Sequence, residues 1–226
     1  MDRSVVLCSA GLDSAVLVAL EAQDRIVLPV YVSVGLAWED AERAMLDSLL
    51  PALPAQDQLA PVVHLAVEMR DVYPAAHWAV RGTPPNYDSP DEEVYLEGRN
   101  IVLLSKAGVL AAREGITRVA LGPLSGNPFP DATPEFFGAM ARTLSIGLDH
   151  PIDVVTPQSA MRKADVIRLG MSLGVPLALT LSCMSPIDGQ HCGRCSKCRE
   201  RHDAFLEAGV EDPTSYRDLD RPLFRN

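Results

Sequence analysis

The sequence predicts an α/β protein built on a doubly wound parallel sheet with helices on both faces. Three observations predict it. Five short, mostly aliphatic runs recur along the chain; segments with helical spacing lie between them; and the first run ends in a turn of small residues that opens into an apolar helix. In such sheets ligands bind beyond the carboxyl ends of the strands. At 226 residues the chain holds one sizeable core, with room for a small appendage, and 47% hydrophobic with 22% charged residues describes a folded chain.

The first strand is expected at Val5-Val6-Leu7-Cys8, followed by a helix over Ser14 to Ala22. A second strand, Ile26 to Val34, leads to a helix over Trp38 to Leu50, and a third strand is expected at Val62 to Val67. The segment Met69 to Gly98 then breaks the rhythm, with prolines at 74, 84, 85 and 90 and acidic residues Asp88, Asp91, Glu92 and Glu93. It is long for a connection, so it is expected to be a lid over the site or a plain solvated loop. Helices follow at Asn100 to Glu114, Pro134 to Ile146 and Lys163 to Leu173, with strands at Val119-Ala120-Leu121 and Ile152 to Val155 between them. In the helix from Lys163, Ala164, Ile167 and Met171 are expected to share the buried face.

Lys plus Arg number 20 against 30 for Asp plus Glu, a net charge of −10, which argues against broad binding to nucleic-acid phosphates. No run of about 18 uncharged apolar residues appears, and Met1-Asp2-Arg3 passes straight into the first strand. A cytoplasmic protein without membrane contact is expected.

The turn Ser9-Ala10-Gly11-Leu12-Asp13-Ser14 suits a phosphate. Small residues let the backbone come close, and the first N–H groups of the following helix attract an anion. It is neither a Walker A loop nor a dinucleotide fingerprint. Asp13 makes sense beside phosphate if it helps hold a divalent cation. A strand-to-helix turn capped by Ser or Asp, with no ligand, is the alternative.

Of five cysteines, Cys8 stands alone while Cys183, Cys192, Cys195 and Cys198 crowd near the end. Their spacing lets a tight turn aim three thiols at one point with Cys183 as the fourth, a set that suits structural tetrahedral zinc. Such a metal replaces the core that a small terminal segment, expected over 181–226, cannot build. His191 and His202 are competing ligands, expected to be bystanders. An iron–sulfur cluster is the other metal reading, but the C-x3-C-P continuation of that motif is absent.

The loop resembles the PP-loop of the ATP pyrophosphatase superfamily, Ser-Gly-Gly-x-Asp-Ser, with Ala10 in place of one glycine. Together with the Cys-x8-Cys-x2-Cys-x2-Cys cluster it resembles the 7-cyano-7-deazaguanine synthase family. Gly98-Arg99-Asn100, Leu121-Gly122, Pro130-Asp131 with Pro134-Glu135-Phe136, Lys163-Ala164-Asp165 and Leu173-Gly174-Val175-Pro176 follow in family order, so the resemblance runs from about residue 4 to residue 213. It implies an adenine nucleotide alpha hydrolase-like fold, with a PP-loop ATP-binding domain over 1–180 and the zinc segment over 181–226. The implied activity is ATP-dependent conversion of 7-carboxy-7-deazaguanine and ammonia to the nitrile, in the biosynthesis of queuosine.

The implied residues follow. Leu7 to Leu17 (Leu7, Cys8, Ser9, Ala10, Gly11, Leu12, Asp13, Ser14, Ala15, Val16, Leu17) would surround ATP. Ser9, Asp13, Ser14 and Lys163 would do the catalytic work, with Asp13 placing Mg²⁺ and Lys163 setting a positive charge on the phosphates. Arg99, Asn100, Gly122, Asp131 and Glu135 would bind substrate, Asp131 accepting from the guanine-like edge; as a residue type, Asp131 could equally cap a helix. Homodimerisation is implied by the resemblance alone.

Two segments depart from the family pattern. Val34-Gly35-Leu36-Ala37-Trp38-Glu39-Asp40 replaces a Tyr-Gly-Gln-Arg-His-like segment, and Ser125 to Phe136 carries one extra residue and lacks the family's Cys and Arg. Two alternatives therefore stand beside the first reading: a related adenylating enzyme for another carboxylate or amide, and a non-catalytic nucleotide-binding zinc module.

Overall fold

The computed structural model describes residues 1–218; residues 219–226, the end of the expected zinc segment, lie outside the described residues. Five strands form one sheet: β1 (Arg3–Leu7), β2 (Ile26–Ser33), β3 (Val63–Ala66), β4 (Arg118–Ala120) and β5 (Asp153–Val155). The order is β3-β2-β1-β4-β5 and every pairing is parallel. The expected fold class is thus the observed one. The chain reverses direction across the sheet between β1 and β4, which opens a crevice beyond their carboxyl ends.

Alternate residues of each strand serve opposite layers, as the two-residue period of a strand requires. Val5, Val30 and Val119 join one core, and Val6, Val27, Tyr31 and Ala120 the other. Pro29 is tolerated in β2, an inner strand, because of where its missing donor falls. The carbonyls of Val27 and Ser33 face β3, so the nitrogen of Pro29 does too, and the ladder with β3 begins only at Val30.

Helices α1 (Leu12–Glu21), α2 (Glu39–Leu49), α6 (Lys163–Ser172) and α7 (Ser196–Ala208) cover one face, while α4 (Arg99–Arg113) and α5 (Pro134–Leu148) cover the other. Of these six, only α7 was not anticipated from the sequence. In α6 the buried stripe is Ala164, Val166, Ile167 and Gly170, so the expectation for Met171 is corrected: it is 55% exposed. A Cβ on Gly170 would come within 2.8 Å of Val16 Cγ2, and this close approach to α1 turns Met171 outward.

The 69–98 segment carries some regular structure, with the short helix α3 (Trp78–Arg81) stacked through Trp78 on Trp38 at 5.8 Å. It is anchored to the cysteine segment: Ser196 N donates to Pro85 O, and Arg199 donates to Tyr87 O at 2.6 Å. Residues 181–218 share both cores, giving Cys183, Cys192, Cys195 and Cys198 to one and Ala204 and Phe205 to the other. Arg201, 1% exposed, bolts the join by donating to Thr180 Oγ1, Leu177 O and Ser182 Oγ.

Beside β2 lies a buried acid. Glu42 accepts from Tyr31 Oη at 2.8 Å and Trp38 Nε1 at 3.2 Å. Burial pushes its carboxyl up to about 7, against the pull of Arg99 and of its two donors. A folded-state value above the unfolded one means that stability falls as pH rises from the ordinary carboxylate range through about 7. Glu42→Gln is therefore expected to be near neutral at pH 5 and to stabilise by about 1–3 kcal/mol at pH 8. Thermal melts at the two pH values check this, and an equal effect at both would refute it.

Candidate active site

A cavity of roughly 290 Å³ occupies the crevice between β1 and β4. One wall is the turn after β1. Leu7, Cys8, Ser9, Gly11, Asp13 and Ser14 line it, whereas Ala10, Leu12, Ala15, Val16 and Leu17 are buried in the core behind. The eleven-residue run expected around ATP therefore splits into a lining and a support.

The turn is held from within. Ser14 Oγ donates to Gly11 O at 2.9 Å and accepts from Ser9 N at 3.3 Å. Ala10 has φ +59, a left-handed conformation that costs an alanine roughly 1–2 kcal/mol. Its surroundings enforce it: the side chain is fully buried and Leu181 N donates to its carbonyl at 2.8 Å. Burial raises the Cys8 thiol above its ordinary value, so Cys8 is no ready thiolate. Opposite the turn, Gly122 leaves room for the Gln158 side chain, whose Oε1 lies 2.7 Å from where a Cβ would stand.

Asp13 and Lys163, 150 residues apart, meet at the mouth of this turn. Lys163 Nζ lies 2.8 Å from Asp13 Oδ2 and 2.8 Å from Glu200 Oε1, and Lys197 Nζ lies 2.5 Å from the other oxygen of Glu200. Burial works against a charged Lys163, but Asp13 and Glu200 outweigh it and raise its pKa. Asp13 Oδ1 is buried and without a hydrogen-bond partner among the described residues. An orphaned carboxylate oxygen beside a phosphate-sized turn fits a hard divalent cation such as Mg²⁺.

The far wall suits a flat polar ring. Asp131 is 6% exposed and burial raises its pKa. Its Oδ2 accepts from Asn100 N at 3.1 Å, and Asn100 Nδ2 donates to Asp131 O at 2.8 Å. Asp131 does not cap the helix that follows it, since Thr133 takes that place by accepting from Phe136 N; its carboxylate instead satisfies an N–H in the first turn of α4, and one carboxylate oxygen stays uncommitted to Asn100. Arg99, Asn100 and Gly122 also line the cavity; Glu135 does not, being exposed on the first turn of α5. The aromatic pair Tyr95 and Phe129, stacked with centroids 5.1 Å apart, completes this wall. Sequence reasoning missed Tyr95, Phe129 and Glu200.

The four thiols of Cys183, Cys192, Cys195 and Cys198 lie within 4.8 Å of one another, all buried. Sγ separations of 3.5, 3.9 and 4.0 Å bracket the roughly 3.8 Å edge of a tetrahedron with zinc–sulfur bonds of about 2.3 Å. Backbone donors already point at the sulfurs: Ser185 N and Cys192 N at Cys183, and Arg194 N at Cys192. The donor set therefore fits zinc. Gly193, at φ +76, is needed for the turn, since a Cβ would strike Asp218 O at 2.5 Å. His191 is no ligand in this arrangement. Burial holds its pKa near 3, and its Nε2 accepts from Ser182 N at 3.0 Å. His202 faces Asp212 at 3.9 Å.

A family model described as "Queuosine biosynthesis protein QueC" matches residues 3–209. The chain is 34% identical to a 7-cyano-7-deazaguanine synthase of Methanothrix thermoacetophila, over 96% of this chain and 99% of that relative. It is 34% identical to a synthase of the same description from Anaeromyxobacter dehalogenans, over 95% of each chain. The counterpart from Methanoculleus marisnigri is 33% identical, over 96% and 99%. Among the described residues no helix is long and apolar enough to cross a membrane.

Proposed function

The chain belongs to the QueC family of queuosine biosynthesis proteins, ATP-dependent 7-cyano-7-deazaguanine synthases, and from that premise we propose how its cavity does the work. What carries the reading is that the serine-rich turn and Asp131 face one another across a single cavity at the point where the strand order reverses. The substrates are 7-carboxy-7-deazaguanine, ammonia and ATP.

A carboxylate resists ammonia because its leaving group would be oxide. Attack of the carboxylate on the α-phosphorus of ATP expels pyrophosphate and gives an acyl adenylate. Ammonia displaces AMP from it, losing a proton, and leaves the amide. Attack of the amide oxygen on the α-phosphorus of a second ATP expels a second pyrophosphate; the amide nitrogen gives up its two protons as the oxygen departs with AMP, and the nitrile remains.

The residues serve positioning and charge. Backbone N–H groups of Ser9 to Ser14 cradle the pyrophosphate at the start of α1, in a turn already braced by the Ser14 hydroxyl. Lys163 offsets charge on the departing pyrophosphate. Asp13, through its orphaned oxygen, would hold Mg²⁺, which supplies further neutralisation when bound. Asp131 accepts from the ring N–H and amino edge, and the Tyr95–Phe129 pair supports the ring face. Arg99 sits where it can meet the substrate carboxylate. The zinc that the four thiols would hold is structural, since four protein ligands close its shell. Reduced thiols of this kind suit the cytoplasm.

The test is incubation of the purified protein with ATP, Mg²⁺, ammonium and 7-carboxy-7-deazaguanine, following AMP and product mass. Nitrile with AMP release is expected. AMP release with another acid alone would shift the assignment to a related adenylating enzyme, and no AMP with any acid would refute it.

A further inference from the structure

We propose that Glu200, on α7, the helix that carries Cys198, is a positioning residue that tethers the Lys163 ammonium at the nucleotide turn. The inference rests on the reading of Ser9 to Ser14 and Lys163 as the ATP site. Asp13, Lys163, Glu200 and Lys197 form a row of alternating charges, each contact 2.5–2.8 Å long. Lysine is a point charge on a flexible stem, and its position is only as good as its partners. When a cation and phosphates engage Asp13, Lys163 loses its hold on that side. Glu200 then keeps the ammonium in place.

Glu200 is itself held firmly. Lys197 pins its second oxygen, and α7 is fixed on α6 by contacts that do not involve it: Arg168 donates to Glu207 O at 2.7 Å and to Ala208 O at 3.3 Å. Phe205 is fully buried and Arg201 is bonded to 177–182. Removing the Glu200 charge therefore leaves the helix docked and releases only the ammonium groups of Lys163 and Lys197.

Glu200→Gln is expected to raise KM for ATP about tenfold with kcat within about threefold, and to weaken ATP binding measured by calorimetry by a similar factor. Zinc content and melting temperature should hold. If Glu200 acts through Lys163, adding Glu200→Gln to Lys163→Met changes the Kd for ATP by less than about twofold. Wild-type ATP affinity in Glu200→Gln, with Lys163→Met weakened, overturns the tether alone; so do additive losses in the double variant. Wild-type affinity in Lys163→Met overturns the ATP-site reading and the tether with it. Should Glu200→Gln melt early, Glu200→Gln/Lys197→Gln, which leaves no lone cation on α7, takes its place in the same cycle with the same outcomes.

Discussion

Lys163→Met is expected to lower kcat/KM for ATP by about a thousandfold, the scale on which a preorganised charge at a developing anion is felt. The side chain is 18% exposed and its ammonium is held between two carboxylates, so the charge is in place before the reaction and needs no reorganisation as pyrophosphate departs. Methionine keeps the apolar stem and much of the length, which limits the change to the charge. It also strips Asp13 and Glu200 of a shared cation, so the variant should be less stable by about 1–3 kcal/mol. The two effects separate in a second variant. Asp13→Asn/Lys163→Met removes one stranded carboxylate and should melt above Lys163→Met alone without regaining AMP release. A kcat/KM within threefold of wild type in Lys163→Met would remove Lys163 from the chemistry.

Why Lys163 was visible in the sequence and Glu200 was not is a matter of range. Lys163 opens a helix within a family motif, and Asp13 sits in a short turn whose residue types suit phosphate. Glu200 has no local signal: it matters because α6 and α7 pack side by side, which brings it to Lys163 from 37 positions away. The strands were legible because buried parallel strands are aliphatic on both faces. Helix α7 was not, because its charged run Lys197 to Asp203 lacks a clear apolar stripe, and its docking comes from one buried arginine, Phe205 and the thiols. The glycine-to-alanine change at position 10 was visible, but not that Leu181 would clamp its left-handed backbone. Tyr95 and Phe129 meet only because the 69–98 segment folds back over the sheet, a contact no periodicity announces.

Cys195→Ser should bring bound zinc from about one per chain to near zero, because a hydroxyl is a poor replacement for one of four thiolates. The substitution isolates the metal. Cys195 is also the residue that caps α7, at φ −90 and ψ 159, and serine is a preferred cap, so the local helix signal is kept or improved. The consequence should still be global. Cys183, Cys192, Cys195 and Cys198 are part of the core that covers one face of the sheet, while α7 carries Phe205 into the core on the other. Releasing the metal leaves three thiols and a hydroxyl crowded in a dry centre and loosens the start of α7. A loss of about 5 kcal/mol is expected, a fall in Tm of about 10–20 °C for a chain of this size. A strong chelator should bring the wild-type protein down to the melting point of Cys195→Ser and leave the variant unmoved. Undiminished zinc in the variant would refute the four-thiol site, and iron with acid-labile sulfide in anaerobically purified protein would replace zinc by a cluster. Because Leu181 N grips Ala10 O just ahead of the first cysteine ligand, metal loss should also soften the nucleotide turn and raise KM for ATP in whatever protein remains folded.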